Sequence, residues 1–139
     1  MSQSALMSET ATTPQPGMRL TAALIAGFGL LTILAALPAL NLPLAFLLDL
    51  LFWPLGDAPV IDTRLHRLLF AITGGITLGW GAMVWMLAAV PGAAVRRAVI
   101  LGCGVWFACD SLFSVVAGVP QNVLGNALFL AAVLWPLRR

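Results

Sequence analysis

The stretch AVILGCGVWFACDSLFSVVAGVP, residues 98–120, decides the class of this chain. From Ala98 to Val119 it carries one charge, Asp110, and it is long enough to cross a bilayer as a helix. Asp110 lies thirteen residues past Arg97 and ten before Pro120. At helical rise that is about 20 Å from one end and about 15 Å from the other. A carboxylate at that depth in hydrocarbon is costly, so it marks a candidate functional site and needs a partner.

Composition agrees with the segment. Of 139 residues, 61% are hydrophobic and 9% charged, and mean hydropathy is +1.03. A soluble domain of this size needs more charge to cover its surface, so the expected class is an all-α integral membrane protein. There is no Lys. The basic residues are Arg19, Arg64, Arg67, Arg96, Arg97, Arg138 and Arg139, each flanking an apolar segment. No basic run is long enough to track a phosphate backbone, so nucleic acid is not an expected partner. Cys103 and Cys109 are six apart, on different faces of a helix, and are read as packing residues rather than a disulfide or redox pair.

Outward from this stretch the chain divides at its prolines. Residues 1–18, rich in Ser, Thr, Gln and Pro without a basic start, read as a flexible polar tail ahead of a transmembrane domain over 19–139. Spans are expected at about 20–37, 65–90, 98–119 and 122–137, making a membrane-embedded four-helix bundle. The stretch LAFLLDLLFW, 44–53, is too short to cross and holds Asp49, so it reads as an interfacial or re-entrant segment with Trp53 at the headgroups. Asp62 or Thr63 is positioned to cap the next helix.

With the amino terminus inside, Arg19, Arg96, Arg97, Arg138 and Arg139 fall on that side and Arg64 and Arg67 on the other. Five against two predicts both termini in the cytoplasm. Trp85 and Trp135 then sit near cytoplasmic span ends, and Trp80 and Trp106 lie deeper.

Two constellations stand out within the spans. Asp110 and Ser114 share a helix face, as do Asn122 and Asn126, and the tight turn at Gly118–Gln121 brings the two helices back antiparallel. Counting through the turn at Pro91 sets Asp110 near the level of Thr77. Asp110, Ser114, Asn122, Asn126 and Thr77 are therefore expected to converge in the interior, as hydrocarbon penalises polar groups without partners. Such a cluster either fixes helix packing or forms a proton- or cation-binding site. The second constellation is glycine. Gly75 and Gly79 make a GxxxG pair, and Gly102 opens the third span. They predict close packing of the second span on the third, or docking against another subunit. His66, with no Cys or second His nearby, is not an expected metal ligand.

Three strings carry a resemblance: LDLLFWPLGDAP (48–59), RLLFAITGGITLGWGAMVW (67–85) and WFACDSLFSVVAG (106–118). They are similar to a group of uncharacterised small four-span bacterial integral membrane proteins, some of which carry an excinuclease label. The resemblance implies a bacterial inner membrane location and no activity. The chain has no Walker motif to support the label.

Taken together, the residues predict a non-enzymatic accessory or scaffold subunit that packs in the lipid bilayer against a larger membrane complex, without cofactor or metal. The competing reading is a small homo-oligomeric proton- or cation-coupled transporter using Asp110.

Overall fold

A computed structural model describes residues 15–52 and 63–138. These are helical, with no strand among them. Five α-helices follow in order: α1 (Pro16–Leu34), α2 (Leu42–Leu51), α3 (Arg64–Leu87), α4 (Ala93–Val116) and α5 (Asn122–Leu134). Short 3-10 turns lie at Pro38–Leu40 and Trp135–Arg138. Helices α1, α3 and α4 are each long and apolar enough to cross a membrane.

Local signals account for the ends. Pro16 opens α1, where its missing N–H costs nothing. Helix α1 therefore begins four residues before the expected span at Leu20, and Met18, placed in the expected tail, is 1% exposed in the core. The first fourteen residues of that tail lie outside the described residues, as do Trp53 and Asp62. Thr63 caps α3, its hydroxyl accepting from the His66 backbone N–H at 3.1 Å.

Helix α4 starts five residues before the expected boundary, because Gly92 makes the turn at φ 139° and Arg96 and Arg97 are good helix formers. It stops at a Schellman turn. Gly118 adopts φ 82°, its N–H donates to the Val115 carbonyl, and the Val119 N–H donates to that of Ser114.

The expected fourth span resolves into a 13-residue α-helix prolonged by the 3-10 turn. Pro136 cannot continue the α-helical ladder. At about 20 Å, α5 alone is shorter than a bilayer core. Helix α2, ten residues long, falls within the expected short segment.

Close packing centres on α1, which lies antiparallel to α3 on one side and to α5 on the other, with α4 against α5. The α1–α3 seam is made by small residues. A Cβ on Gly81 would stand 2.5 Å from the Ala26 backbone nitrogen, and one on Gly74 would stand 2.6 Å from that of Ile33. Gly29 is pressed in the same way onto the backbone of Leu78.

The expected pairing of the second span with the third is not the arrangement found. Helices α3 and α4 make little direct contact, and a Cβ on Gly75, Gly79 or Gly102 would meet nothing within 4 Å. The residues in use, 74, 78 and 81 against 26, 29 and 33, follow the 4-3 spacing of a left-handed antiparallel seam. GxxxG spacing suits a right-handed crossing instead.

An apolar core fills the end where α1 begins. Met18, Ala22 and Ile25 meet Val84, Ala88, Val99, Cys103, Val133 and Leu137 there. The Thr21 hydroxyl, fully buried, donates to the Val133 carbonyl and ties α1 to α5. At the same end the Gln15 backbone N–H donates to the Ala88 carbonyl at 3.1 Å, satisfying a group that α3 leaves open at its last turn. The start of α1, the end of α3, the start of α4 and the 135–138 turn thus share one end, which carries Arg19, Arg96, Arg97 and Arg138.

Replacing Gly81 by Ala should destabilise the α1–α3 seam by about 1–3 kcal/mol, the usual cost of overpacking. Gly79→Ala should be neutral or stabilising by about 0.5–1 kcal/mol, because Ala favours the helix and the site is open. Thermal unfolding of the two detergent-purified variants measures the contrast.

Candidate functional site: a carboxylate held by two asparagines

Asp110 lies on the inward side of α4, seventeen residues into the helix and six from its last residue. The helix stops at Val116, so the carboxylate is about 9 Å from the helix end rather than the expected 15 Å from Pro120. The Schellman turn and the short link to α5 place the first turn of α5 beside it.

Three donors converge on one oxygen. The Ser114 hydroxyl and the side-chain amides of Asn122 and Asn126 each donate to Asp110 Oδ1 at 3.0 Å. The Asn122 amide also donates to Ser114 Oγ at 2.8 Å, and the Asn126 amide to Ser111 Oγ at 3.3 Å. The site is a closed network across two helices, in which each amide bridges the carboxylate and a hydroxyl. Asp110 Oδ2 accepts no hydrogen bond among the described residues, and it is not sealed from the surface.

Of the five residues expected to converge, Asp110, Ser114, Asn122 and Asn126 do so. Thr77 does not join them. Its hydroxyl donates to the Thr73 carbonyl one turn back on α3, as Thr73 does to Leu69. This local bond satisfies the hydroxyl without a partner helix, and α3 is engaged by α1 instead of α4.

Ser111 enters the network without having been anticipated. It is 8% exposed and lies one turn before Ser114, a spacing that a stricter reading of the helix face would have found. The Asn126 side chain, 6% exposed, is the most buried amide of the group.

An aromatic layer borders the cluster. Phe129, three residues beyond Asn126, packs on Phe28 at 5.0 Å between ring centres, the rings tilted by 44°. It also meets Trp106 edge-on at 5.5 Å, and Trp106 lies four residues before Asp110. These rings join α1, α5 and α4 between the polar network and the apolar core. Trp80, expected to be interior, packs against the core.

Elsewhere the site chemistry is sparse. Cys103 is buried and Cys109 exposed, each a free thiol. Among the described residues no group of three His, Cys, Asp or Glu is placed to share a metal ion.

Comparison with known proteins finds nothing similar: no family model, curated protein or solved structure matches the chain.

The network makes a specific stability prediction. Asp110→Ala strands donors on Ser114, Asn122 and Asn126 and should cost about 1–3 kcal/mol. Asp110→Asn keeps an oxygen at the Oδ1 position and places its amide at the unoccupied Oδ2 position, so the unfolding midpoint should stay close to that of the parent. Thermal unfolding in one detergent separates the two outcomes.

Proposed function

We propose that the chain is a small integral membrane subunit, accessory to or scaffolding a larger complex in the bacterial inner membrane. In this reading α1, α3 and α4 cross the bilayer, α5 with the 135–138 turn brings the chain back, and the Arg-bearing end, with both termini, faces the cytoplasm. Helices this apolar with so much of their surface uncovered fit lipid or another membrane helix better than water. The excess of Arg at one end supports the orientation.

One observation carries the docking part. The fold uses Gly29, Gly74 and Gly81 to bring α1 and α3 together, yet leaves Gly75, Gly79 and Gly102 with open space where a Cβ would stand. Gly costs helix stability when it serves no packing. Uncovered small faces on two long apolar helices are what an incoming apolar helix needs for close approach. The occupant proposed is a transmembrane helix of a larger membrane protein. The role proposed is structural rather than enzymatic.

A second reading is supported by the unbonded Oδ2 of Asp110, which is available to a proton or small cation in a homo-oligomeric transporter. The two differ in what Asp110→Asn does in cells. The scaffold reading expects unchanged function at unchanged protein level, and the transporter reading expects loss.

Gly79→Leu tests the docking face. In membranes solubilised under mild conditions, the parent chain should migrate with a larger protein in fixed ratio, and the variant should migrate alone. Carbonate extraction of the same membranes reports insertion separately. Unchanged co-migration of Gly79→Leu would remove this face from consideration.

A further inference from the structure

At the Arg-bearing end, the start of α1, the start of α4 and the 135–138 turn enclose an open groove of about 520 Å³. Most of its wall is apolar, supplied by Pro16, Leu20, Trp135 and Leu137. Its polar contributors are Gln15 and Arg96. The Gln15 side-chain amide is already committed to the Val90 carbonyl at 3.3 Å, which leaves Arg96 as the charged group of the lining. The two described carboxylates, Asp49 and Asp110, lie toward the opposite end of the molecule. Arg138, whose guanidinium lies 4.8 Å over the Trp135 ring of the lining, adds positive charge beside it.

The groove also has a direction. From Leu20, 53% exposed, an uncovered stripe runs along α1 through Ala23, Gly27 and Leu30. These positions share a face at helical spacing. A cationic mouth opening onto an apolar track is complementary to a molecule that is anionic at one end and hydrocarbon along the rest.

We propose that this groove binds an anionic phospholipid, its phosphate on Arg96 and an acyl chain along the Leu20–Leu30 stripe. Basic pockets between membrane helices on the cytoplasmic side are suited to such headgroups. A free phosphate would use the Arg and gain nothing from the apolar wall, so the lipid is the occupant that the whole lining fits. The inference rests on the membrane-spanning reading but not on any partner protein.

The test is native mass spectrometry of the full chain in detergent, titrated with phosphatidylglycerol or phosphatidylcholine. Phosphatidylglycerol should bind more tightly. Arg96→Gln should weaken it by about fivefold, the worth of one arginine at an anionic headgroup. Leu20→Glu, which sets a carboxylate in the groove at an exposed position, should abolish the preference without relying on Arg96. Arg64→Gln, at the far end, should leave it intact. Equal retention of the two lipids, displacement of phosphatidylglycerol by millimolar inorganic phosphate, or no effect of either groove variant would overturn the assignment. Carbonate extraction scores membrane insertion independently, so failure of the groove is distinguishable from failure of the spanning reading.

Discussion

Backbone-to-backbone contact between α1 and α3 is the constraint on which the rest depends. Gly81 faces Ala26, Gly74 faces Ile33 and Gly29 faces Leu78 so closely that no side chain fits at the three glycines. In water a seam of this kind would bury little hydrophobic area. Between helices in an apolar medium, van der Waals contact at close range is what remains to hold them. Because α1 spends one face on this seam, its other face receives α5, and α5 in turn holds α4. Helices α3 and α4 are left nearly independent of each other, with Gly75 and Gly79 of one and Gly102 of the other outward.

The two ends of the molecule are held by different physics. At the Arg-bearing end, side chains of modest size fill a dry core, fastened by the buried bond from Thr21 to Val133 and by the Gln15 contact with the end of α3. At the other end α4 and α5 are joined by polar groups around Asp110. The Phe28–Phe129–Trp106 layer lies between. A carboxylate near the end of α4 is less costly than one at mid-membrane, and three donors on one oxygen meet much of its demand. The same arrangement leaves the second oxygen unspent, which keeps Asp110 relevant to both structure and chemistry.

Much of this was legible in the sequence, and what was not has physical reasons. Long apolar runs broken at Pro38, Pro91 and Pro120 gave the helices and their order, and i, i+4 spacing with a tight turn gave four of the five members of the polar network, Asp110, Ser114, Asn122 and Asn126. Turn chemistry at Gly118 made that inference possible, because it fixes which turn of α5 faces which turn of α4. Partner choice was not legible. Thr77 had a local acceptor on its own helix, which sequence spacing does not weigh against a distant one. GxxxG attracted the packing assignment to Gly75 and Gly79, whereas the seam in use follows a seven-residue spacing from Gly74 to Gly81. Helices α1 and α4 begin ahead of the expected span boundaries at Arg19 and at Arg96–Arg97, since long cationic side chains can remain helical while reaching for an interface.

In the proposed role, α3 presents its Gly75–Gly79 face to another protein. Photo-crosslinking from position 79 in native membranes measures this most directly. A single discrete adduct with a second, larger polypeptide, absent when the crosslinker is moved to Gln121 at the α4–α5 turn, is the expected result. Adducts with lipid alone, or with another copy of this chain, would contradict it.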